Sequence, residues 1–163
     1  MISFRNVVGY LETIADKHYE INSFHSGMMD EVDINKLGAT DYVILYAEPG
    51  NVVINQGVLT YNFTIFVMDM INDEVGDSPN KQRLGRVDGY SETLNILQDV
   101  VAEFKHSLTT QSWVDDEVVL QLPITAEPFT ARFNNLLTGW SASISVDVNN
   151  KNNLCIAPIE ANT

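Results

Sequence analysis

The histidine and cysteine side chains are the residues of this 163-residue sequence best suited to catalysis or metal binding. His18, His25 and His106 fall in different predicted elements, and no two share the spacing that places metal ligands on one helix face. His18 continues the apolar stripe of the first predicted helix, which favours a half-buried structural histidine. Cys155 lies in a polar C-terminal segment, where no rigid shell is expected around a nucleophile. Neither residue type predicts a reactive site.

Two acidic clusters are the remaining candidates for metal binding. Asp73, Glu74 and Asp77 suggest calcium, but they do not fit the register of an EF-hand loop, and the loop's closing glutamate is missing. The cluster at residues 115–117 is typical of a solvated acidic loop. The glycines match neither a dinucleotide-binding nor a phosphate-binding loop. We therefore expect no catalytic residue, no cofactor and no metal, in a protein that is not an enzyme.

Apolar periodicity predicts two helices. Residues spaced by three and four predict an amphipathic helix from about Ser3 to Tyr19, with Ser3 as a candidate N-cap. The same spacing predicts the clearest helix of the chain from about Asp88 to Ser107. The segment 23–41 has no clean periodicity, so we expect a loop there.

Three strands are predicted before the second helix. Tyr42–Ala47 is an apolar run that a turn at residues 49–51 should end, with a short strand at Val52–Ile54 beyond it. Val58–Met70 alternates apolar and polar residues, and from Phe66 onward both of its faces are apolar. We expect its second half to be covered on both sides, by its own domain or by a neighbouring subunit.

Three further strands are predicted after the second helix, at residues 117–124, 125–133 and 139–148. Strands that follow one another through short turns favour an antiparallel sheet with both helices on one face. The predicted fold class is therefore α+β. We expect one domain over residues 1–148, followed by an extended tail over residues 149–163.

Charge and composition limit the classes of function. The chain has a net charge of −13, and such an acidic surface repels both nucleic-acid phosphates and anionic lipid headgroups. The sequence shows no signal peptide and no apolar run long enough to span a bilayer. With 45% hydrophobic and 19% charged residues, the composition is that of a globular domain, which we expect to be soluble and made in the cytoplasm.

Three features instead predict a protein that binds other proteins. They are a strand that is long and apolar on both faces, a long loop that is acidic first and basic second, and a tail with spaced apolar residues. The loop suits a head-to-tail contact between acidic and basic halves. A solvated loop is the equal alternative. The candidate interface residues are Asp73, Glu74, Asp77, Lys81, Arg83 and Arg86 in the loop, and Leu154, Ile156 and Ile159 in the tail.

In its arrangement the chain resembles the tail terminator and tail-completion proteins of tailed bacteriophages. The residues behind the resemblance are the opening helix FRNVVGYLETIADKH, the strand VLTYNFTIFVMDM, the loop into SETLNILQDVVAEF and the closing RFNNLLTGWSASISVDVNNKNNLC. The resemblance implies a virion protein at the neck that forms a ring of about six copies. Its partners would be tail-tube and connector or portal-proximal proteins, and DNA would pass through the acidic lumen without specific binding.

Other assignments remain open at this stage. The Asn-rich tail departs from the family's pattern and would also suit a head–tail adaptor, with a ring of about twelve copies. A tail-tube or baseplate subunit is a further structural alternative. An enzyme or small-ligand module would require several titratable residues to converge in one pocket.

Overall fold

The computed structural model of the chain describes residues 2–28, 41–70, 84–110, 118–130 and 137–150, without the side chains of residues 84–86, 109–110 and 129–130. These ranges contain two helices and six strands, as an α+β fold requires. In chain order the elements are α1 (Phe4–Lys17), β1 (Ser23–Ser26), β2 (Ile44–Ile54), β3 (Val58–Met70), α2 (Leu84–Thr110), β4 (Val118–Leu120), β5 (Ala126–Thr130) and β6 (Leu137–Asn149).

The first helix begins with a reciprocal cap. The backbone N–H of Asn6 donates to Oγ of Ser3 at 3.2 Å, and the backbone N–H of Ser3 donates to Oδ1 of Asn6 at 2.9 Å. Both bonds satisfy donors that a helix start leaves open, which confirms the predicted cap. The buried stripe that turns α1 toward the sheet consists of Val7, Leu11, Ile14 and Ala15.

The six strands form one mixed sheet in the order β1-β2-β3-β6-β4, and β5 also pairs with β6. All neighbours are antiparallel except β1, which runs parallel to β2. The expectation of a loop throughout residues 23–41 was therefore wrong for Ser23–Ser26. Its four residues are too short and polar to show a period, so only pairing with β2 makes them a strand.

The turn predicted at residues 49–51 is a bulge inside one continuous strand. The register of β2 against β3 shifts between Pro49 and Val52, and the strand then continues to Ile54. Gly50 lies so close to β3 that an added Cβ would stand 3.0 Å from the carbonyl oxygen of Asn62. Proline and glycine mark a bulge here because both are tolerated where the ladder is interrupted.

Both helices cover the same face of the sheet. The alternating residues of β3 and β6 that the sequence placed on one side form this core, with the buried sides of α1 and α2. At Gly89 α2 approaches the sheet so closely that an added Cβ would meet Cγ2 of Thr138 at 2.7 Å. At the next residue of α2, Nε1 of Trp140 donates to the carbonyl oxygen of Tyr90 at 2.8 Å.

The opposite face of the sheet changes character along the strands. Ile44, Tyr46, Met68 and Leu137 are all buried at one end of this face, so the chain itself covers that end. Met68 thus fulfils the expectation of cover on both sides, whereas Met70 is 36% exposed. The other end carries the acidic residues Glu48, Glu127 and Asp147. Its uncharged polar residues are Thr60, Asn62, Thr64, Ser141, Ser143 and Ser145.

β4 is shorter than predicted, because it ends at Leu120 and residues 121–124 lie outside any strand. β5 covers Ala126–Thr130, and residues 131–133 of its predicted range lie outside the described residues. Both strands pair with successive parts of the same edge of β6. β6 itself extends over Leu137–Asn149, and its alternation of buried and wetter residues confirms the predicted half-buried strand. Neither of the two described helices combines the length and the apolar character needed to cross a membrane.

Candidate functional site

The interface residues predicted from sequence fall almost entirely outside the part of the chain that the structure describes. Asp73, Glu74, Asp77, Lys81 and Arg83 precede the described part of α2, and Leu154, Ile156 and Ile159 follow Asn150. Arg86 lies in the first turn of α2, but its side chain is not among the described ones. The charged-loop and tail contacts therefore stay predictions.

His18 connects the end of α1 to α2. The ring of His18 is 15% exposed, and its Nε2 lies 3.2 Å from Oδ2 of Asp99 on α2. Its Nδ1 accepts the backbone N–H of Glu20 at 3.2 Å, so Nε2 is the donor to the carboxylate. This confirms the half-buried histidine expected on α1. Within the described ranges, no three His, Cys, Asp or Glu side chains are grouped as a metal site would require.

Asp69 is the one described carboxylate whose pKa is shifted from its ordinary value. It lies near the end of β3 opposite Thr138, and its Oδ1 accepts the backbone N–H of Met70 at 2.7 Å. Burial raises the pKa of Asp69 above its ordinary value, and the hydrogen bond from Met70 offsets only part of that rise. The folded protein therefore holds this proton more tightly than the unfolded chain does.

The substitution Asp69→Asn is expected to raise the free energy of unfolding at pH 7. A carboxyl group with a raised folded pKa stabilises fully below its unfolded pKa, and this contribution is lost as the pH rises through the folded pKa. The gain over the wild type should shrink as the pH falls toward about 4, the ordinary aspartate value. Urea unfolding of the variant and the wild type across this pH range measures the difference in their free energies of unfolding.

Asp16→Asn is the matched control, because it removes the same charge from an exposed position on α1. We expect that variant to show no comparable gain that grows with pH. Equal or lower stability of Asp69→Asn at pH 7 would contradict the assigned cost of burying the carboxylate.

The tip of the β2–β3 hairpin, residues 52–58, is the most unusual surface of the described structure. The backbones of Asn55 and Val58 bond to each other, and Gly57 adopts the positive φ of 82° that closes the turn. Its exposed aliphatic side chains are Val52 at 41%, Val53 at 44%, Ile54 at 75% and Val58 at 41%. No charged residue occurs anywhere from Pro49 to Met68.

A polar row supports the hairpin tip from the rest of the sheet. Val53, Thr60, Asp147 and Val119 lie opposite one another on four neighbouring strands. Oγ1 of Thr60 donates to the Asp147 carboxylate, and Nε2 of Gln121 donates to its two oxygens at 2.9 and 3.1 Å. These bonds hold the strands in register directly below the exposed aliphatic residues.

Two hydrogen bonds join the residue that follows β6 to the same turn. The backbone N–H of Asn150 donates to the carbonyl oxygen of Gly57 at 2.9 Å, and its side-chain amide donates to that of Asn55 at 3.1 Å. The turn is thus bonded to the described chain on two sides. The hairpin tip is therefore a supported projection of the sheet.

A groove between α1 and β1 has a volume of about 780 Å³. Gly9 of α1 lies in its wall, and an added Cβ there would meet no atom of the described residues within 4 Å. Phe24 and His25 of β1 form the opposite wall, and Pro49 of β2 closes the side. We call this surface the α1–β1 groove.

Sequence reasoning missed both of these surfaces. The uncharged run from Pro49 to Met68 was visible, but the predicted turn at residues 49–51 divided the hairpin arm and hid its projection. The α1–β1 groove depends on β1, which has no period of its own. The glycine in the middle of α1 was the one available signal.

Comparison with known proteins adds no relative to this picture. No model of a known protein family matches the chain, and no curated protein matches it either. The class of function therefore has to be argued from the fold, the charge and the two surfaces.

Proposed function

We propose that the protein is a non-enzymatic structural subunit that assembles into a homo-oligomeric ring at the head–tail junction of a tailed bacteriophage. As a terminator or neck component of the virion, it would join the tail tube to the connector. The observation that carries the proposal is the hairpin tip, an uncharged aliphatic projection on a chain of net charge −13. The resemblance of the chain to tail terminator proteins supplies the location.

The hairpin tip favours contact with another protein on energetic grounds. Burying an aliphatic side chain completely gains about 1.5–3 kcal/mol, so covering one that is half exposed gains about 1 kcal/mol. Four such side chains lie within the hairpin tip, Val52 and Ile54 on one face and Val53 and Val58 on the other, and clustered exposed aliphatic groups are typical of a binding surface. Because like-charged copies repel elsewhere, an uncharged projection is the place where two of them can meet at the least electrostatic cost.

The electrostatics of the hairpin tip distinguish it from the charged-loop contact. An uncharged interface between acidic subunits should strengthen as salt screens their repulsion. A contact between the acidic residues 73–77 and the basic residues 81–86 should weaken under the same conditions. The direction of the salt dependence therefore tells which surface dominates assembly.

The open face of the sheet supports passage of DNA without binding. Its strand positions carry hydroxyl and amide side chains and the carboxylates of Glu48, Glu127 and Asp147, with no Lys or Arg in the described ranges. Nucleic acids bind proteins mainly through phosphate contacts with basic residues, which release counterions. A surface of this composition offers DNA no such gain, as a channel through which DNA slides requires.

Electron microscopy of the purified protein at high concentration tests the proposed function. We expect closed rings with a central channel and about six subunits, and about twelve would identify the related head–tail adaptor instead. Particles of single-chain size, or open filaments, would contradict assignment to a ring.

A small-ligand module is the second candidate, and the α1–β1 groove is the observation that favours it. Ligand sites of this size usually combine an apolar lining with a few convergent polar groups. A ligand retained by the purified protein, detected by mass spectrometry under native conditions, would support this alternative over the ring.

A further inference from the structure

We infer that the hairpin tip of one copy docks in the α1–β1 groove of the next copy. This contact rests on the proposed assembly and specifies which two surfaces form it. The hairpin tip supplies projecting aliphatic side chains, and the α1–β1 groove supplies a concave surface between a helix and a sheet edge. Because the two surfaces differ, the contact is head-to-tail and repeats around a ring.

Gly9 is the first observation that points to an occupant. Glycine in the middle of a helix is less stable than alanine, and no neighbouring atom within 4 Å excludes a side chain at this position. Packing among the described residues therefore gives no reason for glycine here. A glycine that lines a groove keeps it open, which is the property needed to admit another molecule.

The opposite wall of the groove provides partners for a strand. β1 is the edge strand of the sheet, so the outer side of its backbone has no strand partner among the described residues.

Charge favours the same pair of surfaces. Arg5 and Glu12 stand one turn before and one turn after Gly9 on α1, so the formally charged residues of the groove cancel. The hairpin tip has no charge at all. On a chain of net charge −13, a neutral projection and a neutral groove can approach without the repulsion that separates the remaining surfaces.

The hairpin tip cannot fill the groove of its own chain. Pro49 lines the groove, and β2 continues from there to Ile54 as paired strand. At about 3.3 Å per residue, this arm places the end of β2 about 17 Å beyond the groove. The contact therefore requires the hairpin tip of a second copy.

Two variants with opposite defects test the contact. Gly9→Arg fills the groove at a position with open space and a more favourable helix residue, so the fold is retained. Ile54→Asp puts a charge on the most exposed residue of the hairpin tip. Gly9→Ala serves as a control, because its single methyl group leaves most of the groove open. Circular dichroism verifies the fold of each variant.

We expect neither variant to self-associate, since each lacks one half of the contact. An equimolar mixture should form a complex of twice the 18.2-kDa chain mass and grow no further, because the intact tip of one docks in the intact groove of the other. Gly9→Ala should self-associate within about tenfold of the wild type. Light scattering of the separate and mixed proteins measures all of these.

The result that would overturn the inference is a mixture that forms no complex, or a single variant that assembles like the wild type. These outcomes are separable from failure of the proposed function. If the wild type forms rings but the two variants form no mixed complex, the proposed ring is supported and this contact is contradicted. If the variants form a mixed complex but the wild type forms open filaments, this contact is supported and the proposed ring is contradicted.

Discussion

Val53→Asp is expected to lower the solution mass of the assembled protein to that of the single 18.2-kDa chain. Val53 is 44% exposed on the hairpin tip and pairs with Thr60, on the row that Asp147 holds in register. A carboxylate here would lose its water on docking, and the one positive charge among the described residues that line the groove, Arg5, is already balanced by Glu12. The expected cost of about 3 kcal/mol weakens association by about a hundredfold or more.

Val87→Asp is a closely matched control for this experiment. Val87 has the same 44% exposure, and it lies in the first turns of α2, at the end of the sheet opposite the hairpin tip. Both variants carry the same net charge, so general repulsion affects them equally. We expect Val87→Asp to assemble as the wild type does. Equal loss of mass in the two variants would mean that the hairpin tip is not the interface.

Phe63→Ala is expected to lower the free energy of unfolding by about 3–5 kcal/mol. Phe63 is 2% exposed in the middle of β3, and its ring stacks on that of Phe4 with 5.0 Å between centroids. Its loss leaves a cavity between α1 and the sheet, where the first helix contacts the central strands. Denaturant unfolding of the variant and the wild type measures the difference.

Phe66→Ala provides the comparison on the opposite face of the same strand. Phe66 is only partly buried and makes an edge contact with Tyr46 at 6.3 Å between ring centroids. Because its side chain keeps part of its contact with water in the folded state, truncation removes less burial. A larger loss for Phe66→Ala than for Phe63→Ala would contradict the assignment of the core to the helix-covered face.

Elements with a clear local period could be predicted from the sequence. The three-and-four spacing of α1 and α2 and the alternation in β3 and β6 follow directly from which side of each element is buried. The cap at Ser3 was also foreseeable, since a short polar side chain before an apolar stripe satisfies the open helix donors. These four elements already define the α+β class.

The elements that depend on pairing could not be predicted in the same way. β1 is a strand because β2 provides its parallel partner, and its sequence SFHS shows no period of its own. The bulge after Pro49 has the composition of a turn, and only its close approach to Asn62 makes it part of a strand. Local composition favours the wrong structure at both places because tertiary contacts decide it.

The candidate interface could likewise be predicted only in part, because some of its features depend on tertiary pairing. Exposed aliphatic residues between Val52 and Val58 are visible in the sequence, but their projection depends on the continuity of β2 through the bulge. The α1–β1 groove requires Gly9 to lie beside β1, which no local pattern specifies. The net charge of −13 could be read from the sequence. On so acidic a chain, the uncharged surfaces become the candidate contacts once the structure shows where they lie.

Solution mass by light scattering at increasing salt concentration tests the central claim most directly. Assembly through an uncharged hairpin tip predicts a mass of about six chains of 18.2 kDa, or about twelve for an adaptor, that persists or increases as salt screens the negative charge. A mass of 18.2 kDa at every protein and salt concentration would contradict the claim, and so would assemblies that dissociate as salt is added.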